Sequence, residues 1–270
     1  MALRRLLRGT ASEAELEAVG REAADRQDTT FESVRPLEAD NWLSTPAVLN
    51  ESLFLKLIST QNTVVHGLLT TGRNLGAFSS GNEAFFKRFS TPLEMAVHEL
   101  EATREMRALG VNAPKPLEAF EHDGYGVLVL EFLPAFETLD DLDRGTAERV
   151  VPALFDALAR LHRAGLAHGD LRGENVLVTD DDLYFVDATK VSEAAIEDAR
   201  AYDVACALAA LEPLVGATAA VAAASDVYPD TVLLDAVEYV GFVNLRPDHT
   251  FGALTLRGEI EKTAAADTDS

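Results

Sequence analysis

The order of hydrophobic and polar positions divides the chain into a strand-rich part and a helix-rich part. After Phe31, short apolar segments with alternating or β-branched residues are separated by polar turns, a pattern that predicts β-strands. His122-Asp123-Gly124 lies between two further segments of this kind and predicts a β-hairpin. The predicted strands are Ser33–Leu37, Trp42–Leu49, Leu53–Ile58, Leu117–Glu121 and Tyr125–Phe132.

Beyond the first strands, apolar residues recur every three or four positions, which predicts helices. Thr91, Pro92 and Glu94 have the spacing of a helix start, and Gly110 ends the same segment. Strands followed by helices predict an α+β fold. The predicted helices cover about residues 91–109, 147–164, 197–211 and 229–242.

The N-terminal segment predicts two helices ahead of the first strand. Leu3, Leu6 and Leu7 share one helical face, which favours docking of the first helix over an anion or RNA contact through its three arginines. Thr10-Ala11-Ser12-Glu13 has the spacing of a capping box and predicts a second helix to about residue 26. Residues 59–92 are polar and predict a long connection.

One stretch carries the groups that phosphoryl transfer needs. In His168–Val178 a polar cluster runs directly into an apolar strand, with Asp170 and Asn175 in the intervening loop. A second apolar segment, about residues 184–187, ends in Asp187. One carboxylate can position an attacking hydroxyl, while an amide oxygen and a second carboxylate can hold a metal ion.

Composition limits the partners and the compartment. The 45 acidic and 23 basic residues give a net charge of −22, so we expect neither direct DNA binding nor attachment to an anionic membrane. Such an acidic surface also fits a salt-rich, halophilic cytoplasm. The single cysteine, Cys206, excludes an intramolecular disulfide and a multi-cysteine zinc site. Glu212 and Pro213 interrupt the most apolar window, and no signal peptide is recognisable, so a cytoplasmic protein is expected.

These motifs resemble the protein-kinase-like superfamily. His-Gly-Asp-Leu-x-x-x-Asn at 168–175 is similar to the catalytic loop of RIO kinases, of the small archaeal kinase of the tRNA threonylcarbamoyl complex, and of aminoglycoside phosphotransferases. Gly110 followed by Pro114 and Pro116 is typical of RIO kinases and their archaeal relatives. The resemblance covers about residues 31–245. It implies a two-lobed kinase-like fold with a small lobe (31–133) and a reduced helical large lobe (134–261). Pattern and composition add an N-terminal helical extension (1–30) and a disordered acidic tail (262–270).

In the small lobe, the resemblance implies a nucleotide site. Lys56 would grip the α- and β-phosphates of ATP, and Glu99 would pair with it, with Glu101 and Glu105 as rivals. Backbone groups of residues 131–133 would hold adenine above an apolar floor from the large lobe. These adenine-site residues are Glu131, Phe132, Leu133 and Leu177.

In the large lobe, the resemblance implies the catalytic groups. Asp170 would act as catalytic base, Arg172 would contact phosphate, and Asn175 and Asp187 would bind Mg²⁺. His168 would orient the loop, and Asp203 would tie the backbone of the loop from below.

One segment departs from the family pattern. The phosphate loop should lie near residues 38–44, yet this stretch contains no glycine and carries Glu38 and Asp40. Glycine loops bind phosphate by close backbone approach, so Asn41, Ser44 and Thr45 would have to donate hydrogen bonds instead.

The function implied is transfer of the γ-phosphoryl of magnesium-bound ATP to a hydroxyl of an unknown protein or small molecule. Three alternatives stay open. They are a small-molecule kinase of the aminoglycoside or choline type, an ATPase switch that acts on a ribosomal or tRNA-modification complex, and a nucleotide-binding pseudokinase. The presence of Lys56, Asp170, Asn175 and Asp187 together argues against the pseudokinase.

Overall fold

The chain consists of two compact units. A computed structural model describes residues 11–37, 44–63, 89–180, 182–188, 196–244 and 251–268. The first unit contains the described residues up to Arg107 together with Pro114–Pro134. The second contains Ala108–Ala113 and the described residues from Ala135 onwards. The sequence placed its lobe boundary after residue 133.

The first unit is built on one antiparallel sheet of five strands in the order β1-β2-β3-β5-β4. Short turns join β2 to β3 and β4 to β5, and the Asn50–Glu51 turn between β2 and β3 uses left-handed backbone at both residues. Predicted and observed strands agree to within a few residues wherever the chain is described. The strands are β1 (Val34–Pro36), β2 (Thr45–Leu49), β3 (Leu53–Ile58), β4 (Pro116–His122) and β5 (Tyr125–Glu131).

Helices cover both faces of this sheet because its central strands are apolar on both sides. Helix α1 (Glu13–Arg26) packs Leu16 and Val19 against one face. Helix α2 (Pro92–Ala108) packs Met95 and Leu100 against the other.

The cap of α1 corrects one prediction. The capping box is Ser12 with Glu15, not Thr10 with Glu13: the Ser12 side chain accepts from the Glu15 amide and the Glu15 carboxylate accepts from the Ser12 amide. Both pairs have the required three-residue spacing in the sequence.

The second unit combines a small three-stranded sheet with five helices in the described residues. The sheet has the order β6-β7-β8 and frames the loop that contains Asp170. Helix α4 (Ile196–Val215) is largely buried: most of its alanine, leucine and valine side chains and Cys206 are enclosed. The elements are β6 (Glu137–Thr138), α3 (Arg144–Arg163), β7 (Val176–Val178), β8 (Leu183–Phe185), α4 (Ile196–Val215), α5 (Ala217–Ser225), α6 (Asp230–Val243) and α7 (Ala253–Thr268).

The C-terminal segment corrects a second prediction. Composition predicted a disordered tail from Lys262, but α7 continues to Thr268. Leu256, Ile260 and Ala264 recur every four residues and are buried, so one face of the helix has a packing surface. None of the helices in the described parts of the chain combines the length and the apolar character that a membrane crossing requires.

The close approach of β5 to the start of α2 yields a stability prediction. Gly126 lies in β5, and a Cβ atom at this position would overlap the carbonyl of Pro92 and the amide of Leu93. Because backbone cannot yield as a side chain can, we expect Gly126→Ala to lower the free energy of unfolding by about 2–4 kcal/mol. Urea unfolding followed by circular dichroism measures the change.

The matched control is Gly241→Ala in helix α6. Nothing lies within 4 Å of a Cβ atom built there, so the better helix propensity of alanine should raise stability by up to about 1 kcal/mol. Equal stability of Gly126→Ala and the native protein would contradict the packing argument.

Candidate active site

The first unit contains a buried pair of charged residues, Lys56 and Glu99, and the alternation of side-chain directions along β3 explains the position of Lys56. Leu53, Leu55 and Leu57 pack towards α1, which turns the side chain of Lys56 towards the face that α2 covers. There the Lys56 ammonium lies 2.9 and 2.8 Å from the two carboxylate oxygens of Glu99.

The structure selects Glu99 from the three candidate glutamates of α2. Lys56 is 4% exposed and Glu99 is 7% exposed, whereas Glu101 lies on the exposed side of the helix and Glu105 is half-buried. A lysine is almost never buried without a partner. The ion pair therefore explains how a charged residue occupies a strand of the core.

The amides of the segment at the end of β5 differ in their backbone partners. The Glu131 amide donates to the Lys115 carbonyl at 2.9 Å, and the Phe132 amide donates to the Ser52 carbonyl at 3.0 Å. Among the residues that the structure describes, no backbone carbonyl accepts from the Leu133 amide, so of these three amides it is the one suited to a ligand.

In the second unit, the loop before β7 is held by a buried carboxylate. Asp203 of α4 accepts hydrogen bonds from the amides of His168 at 2.6 Å and Gly169 at 2.8 Å. Gly169 has a φ of +79°, so the loop turns sharply at this point and its amides cannot join a regular ladder. The predicted role of Asp203 as a tie for the loop backbone is confirmed.

The loop presents Asp170 beside a guanidinium. The Arg172 side chain lies 3.3 Å from an Asp170 carboxylate oxygen and also contacts the exposed carboxylate of Glu174. Asn175 donates from its side-chain nitrogen to the Asp170 carbonyl at 2.8 Å. The Asn175 amide nitrogen is thus committed within the loop, which leaves its side-chain oxygen as the atom suited to a metal ion.

Asp187 follows β8 and is anchored to the same loop through the backbone. The Val186 amide donates to the Asn175 carbonyl at 3.0 Å. Asp187 itself has a φ of +58°, a left-handed conformation that few residues other than glycine adopt. Backbone of this kind is common at functional sites, because the surrounding structure must hold it in place.

The oxygen atoms of Asn175 and Asp187 fit a magnesium ion of the kind that ATP carries. Mg²⁺ prefers oxygen ligands and is usually bound by one or two protein side chains together with phosphates. Among the residues that the structure describes, no group of three or more His, Cys, Asp and Glu side chains is arranged to hold a metal. Two oxygen ligands from the protein would suit a metal that arrives with a nucleotide. Leu177, predicted to lie beneath adenine, is half-buried in β7 of the second unit.

His168 is buried at the centre of the loop. Its ring packs edge-on against Phe185, with 5.4 Å between centroids, and its Nδ1 lies 3.4 Å from the Asp170 amide. Burial lowers the pKa of His168, although the carboxylates of Asp203, Asp170 and Asp187 oppose the shift. A neutral, enclosed imidazole fits the predicted role of orienting the loop.

Two residues of this site were missed by sequence reasoning. His162 of α3 and Tyr228, which precedes α6, form buried hydrogen bonds that lead to Asp203. The helical pattern of the sequence places His162 on the apolar face of α3 and so indicates that it is buried. No local sequence pattern indicates its contact with Tyr228, which lies 66 positions away. The Gly-free phosphate loop at 38–43 lies outside the described residues, and only Ser44 and Thr45 at its end are described.

Three comparisons bear on this site. Residues 77–208, just under half of the chain, match the RIO domain family. The KEOPS complex subunit Bud32 of Pyrococcus abyssi is 29% identical over 98 residues, which cover 35% of this chain and 43% of Bud32. A protein of Methanothermobacter thermautotrophicus assigned to bifunctional tRNA threonylcarbamoyladenosine biosynthesis is also 29% identical, over 33% of this chain and 16% of that protein. The chain thus matches less than half the length of either relative.

The fold has a counterpart among solved structures. A protein of Haemophilus somnus assigned as a fructosamine-3-kinase superposes with a TM-score of 0.53 over 90% of this chain and 96% of its own, at 11% identity. At that identity the likeness shows the fold alone. Residues 77–208 are thus similar to a RIO domain, and the chain has a kinase-like α+β fold.

The buried pair of the first unit gives a second prediction. Glu99→Gln keeps the shape of the side chain but removes the negative charge that lies 2.8 Å from the buried Lys56 ammonium. We expect the free energy of unfolding to fall by about 3 kcal/mol, as found when one partner of a buried pair is removed. Chemical denaturation at neutral pH measures the loss.

The control is Glu51→Gln, which removes a carboxylate from the exposed pair with Arg35 in the same unit. Solvent screens that pair, so its loss should leave the unfolding midpoint nearly unchanged. Equal effects of the two substitutions would refute the buried character of the Lys56–Glu99 pair.

The lowered pKa of His168 predicts acid sensitivity. Unfolded histidine takes up a proton near pH 6.5, whereas His168 in the folded protein stays neutral below that pH. Its contribution to stability is therefore complete above pH 6.5 and is lost as the pH falls. Between pH 7.5 and 5.5, the stability difference between the native protein and His168→Gln should shift against the native protein by up to about 1.4 kcal/mol per pH unit. A difference that stays constant over this range would contradict the burial argument.

Proposed function

We propose that the protein is a magnesium- and ATP-dependent phosphotransferase that acts on a hydroxyl group. The observation that carries the proposal is the loop at 168–175, in which Asp203 holds two successive amides and so orients Asp170. Such a loop is costly to build, because it needs a buried carboxylate and a left-handed glycine. Its polar groups are those that phosphoryl transfer uses.

The first unit would hold the nucleotide. Lys56, kept in place by Glu99, would contact the phosphates, as the corresponding ion pair does in kinases. The Leu133 amide would donate to adenine, since the amides of Glu131 and Phe132 are engaged elsewhere. When bound, magnesium ATP supplies the phosphoryl group and neutralises charge that develops during transfer.

The second unit would hold the metal and the acceptor. Asn175 and Asp187 would each offer one oxygen to Mg²⁺. Asp170 would accept a hydrogen bond from the acceptor hydroxyl and orient its oxygen towards the phosphoryl group. A carboxylate is a weak base, so its contribution comes chiefly from positioning.

Arg172 would have two roles in succession. In the structure, its guanidinium lies between the carboxylates of Asp170 and Glu174. A guanidinium binds phosphate at least as readily as carboxylate and offers several donors at once. We infer that Arg172 keeps the Asp170 carboxylate in place and contacts phosphate once a nucleotide is present.

An ATPase switch in a tRNA-modification complex is the second candidate. Both curated relatives have names that refer to this setting, KEOPS and tRNA threonylcarbamoyladenosine biosynthesis. Residues 188–195 alone separate Asp187 from α4, so the chain has little room for a segment that binds a peptide acceptor. A net charge of −22 disfavours direct contact with tRNA, so partner proteins would provide the link.

The test is phosphoryl transfer from radiolabelled ATP, measured with and without Mg²⁺ in native cell extract, in a pool of small metabolites and in buffer alone. Label on a protein or a metabolite indicates a kinase, and inorganic phosphate alone indicates an ATPase. Asp187→Asn should abolish turnover, and Asp170→Asn should lower it by about 10²–10⁴-fold, because they remove a metal ligand and the acceptor-positioning group.

The control is Asp180→Asn, an exposed aspartate in the turn between β7 and β8. It changes the net charge by the same amount and should retain full turnover. Full activity in Asp187→Asn and Asp170→Asn would refute the assignment. Nucleotide binding without turnover in the native protein would show a pseudokinase.

A further inference from the structure

In the second unit, a chain of buried hydrogen bonds leads from Tyr228, just before α6, to the loop at 168–175. The Tyr228 hydroxyl lies 2.8 Å from Nδ1 of His162. Nε2 of the same ring lies 3.2 Å from Oδ2 of Asp203. All three side chains are buried, at 6%, 6% and 0% exposure. The proposed phosphoryl transfer assigns no task to Tyr228 or His162.

The directions of these hydrogen bonds follow from what each group can donate. Asp203 already accepts from the amides of His168 and Gly169, and an ionised carboxylate can only accept. Nε2 of His162 must therefore carry a proton. In a neutral imidazole Nδ1 is then an acceptor, and the Tyr228 hydroxyl donates to it.

The opposite tautomer is disfavoured by the same contacts. With the proton on Nδ1, the lone pair of Nε2 would face the Asp203 carboxylate across 3.2 Å. Two buried acceptors would then oppose each other without a proton between them, which costs more than the loss of an ordinary hydrogen bond. Burial also raises the pKa of Tyr228, so its hydroxyl keeps the proton that it donates.

We propose that Tyr228 is a positioning residue for the catalytic loop. Its hydroxyl donates to Nδ1 and holds the His162 ring in place, the Nε2 proton of His162 holds one oxygen of Asp203, and Asp203 in turn holds the amides that orient Asp170. The consequence for catalysis rests on the proposed function. The tautomer of His162 and the protection of the loop amides from exchange can be measured whether or not the protein is a phosphotransferase.

The first test uses the native protein. Multiple-bond ¹⁵N–¹H correlation spectra of the uniformly labelled full chain report which ring nitrogen of each histidine carries the proton. His162→Gln identifies the signals that belong to His162. We expect the proton on Nε2 and a hydrogen-bonded Nδ1. A proton on Nδ1 would overturn the proposal, and this measurement needs no variant at position 228.

The second test compares two tyrosine-to-phenylalanine substitutions. Tyr228→Phe removes the hydroxyl and retains the ring. Tyr239→Phe is the matched control, because the hydroxyl of the buried Tyr239 of α6 donates to Asp198 rather than to His162. Amide hydrogen exchange of His168 and Gly169 should accelerate about tenfold in Tyr228→Phe relative to the amides of α4, and should not change in Tyr239→Phe. Unchanged exchange in Tyr228→Phe, or equal acceleration in both variants, would refute the link.

Turnover provides the third test. Tyr228→Phe should lower kcat about five- to tenfold and leave the KM for ATP nearly unchanged, because the substitution leaves the proposed contacts of Lys56 and Leu133 to the nucleotide intact and alters the placement of Asp170. Tyr239→Phe should retain the native kcat. A rise in KM alone, with kcat intact, would contradict a positioning role. If the native protein shows no turnover, the proposed function fails, and the tautomer and the amide exchange still decide the role of Tyr228.

Discussion

The site depends first on the contacts of one buried carboxylate. Asp203 is fully buried on a helix whose neighbours are almost entirely apolar, so its oxygens need hydrogen-bond donors from the protein. Two loop amides and the His162 imidazole satisfy it instead. A loop that turns through a left-handed glycine has no regular hydrogen bonds of its own. The helix therefore determines the shape of the loop through Asp203, and the loop in turn determines the position of Asp170.

The first unit solves the burial of charge in a different way. There the alternation of one strand turns Lys56 inwards, and Glu99 meets it with both oxygens. Such a pair gains little stability over two apolar side chains, because both ions lose their hydration. Under the proposed function the pair has a use in the core, because a buried ammonium that faces a carboxylate still attracts an anion with more than one charge, as a polyphosphate has.

The sequence was a good guide wherever a local pattern determines structure. Alternation located the strands of the first sheet, and the loop motif located β7 and β8, which are too short to be recognised by alternation alone. It failed where two local patterns were equivalent, as for Ser12 and Thr10, or where packing outweighed composition, as in α7. The hydrogen bond between Tyr228 and His162 joins residues 66 positions apart, so it can be recognised only in the folded structure.

The charge of the whole molecule and the charge at the candidate site act over different distances. A net charge of −22 repels any polyanion, including the nucleotide that the site is proposed to bind. Local cations must therefore outweigh the field of the whole molecule at short range, where low dielectric makes each contact stronger. Lys56 and Arg172 are each held by carboxylates near the loop or the sheet, so their positions are set before a ligand arrives. Ordering costs are then small, and the binding of an anionic ligand depends on these few contacts and on the metal that accompanies it.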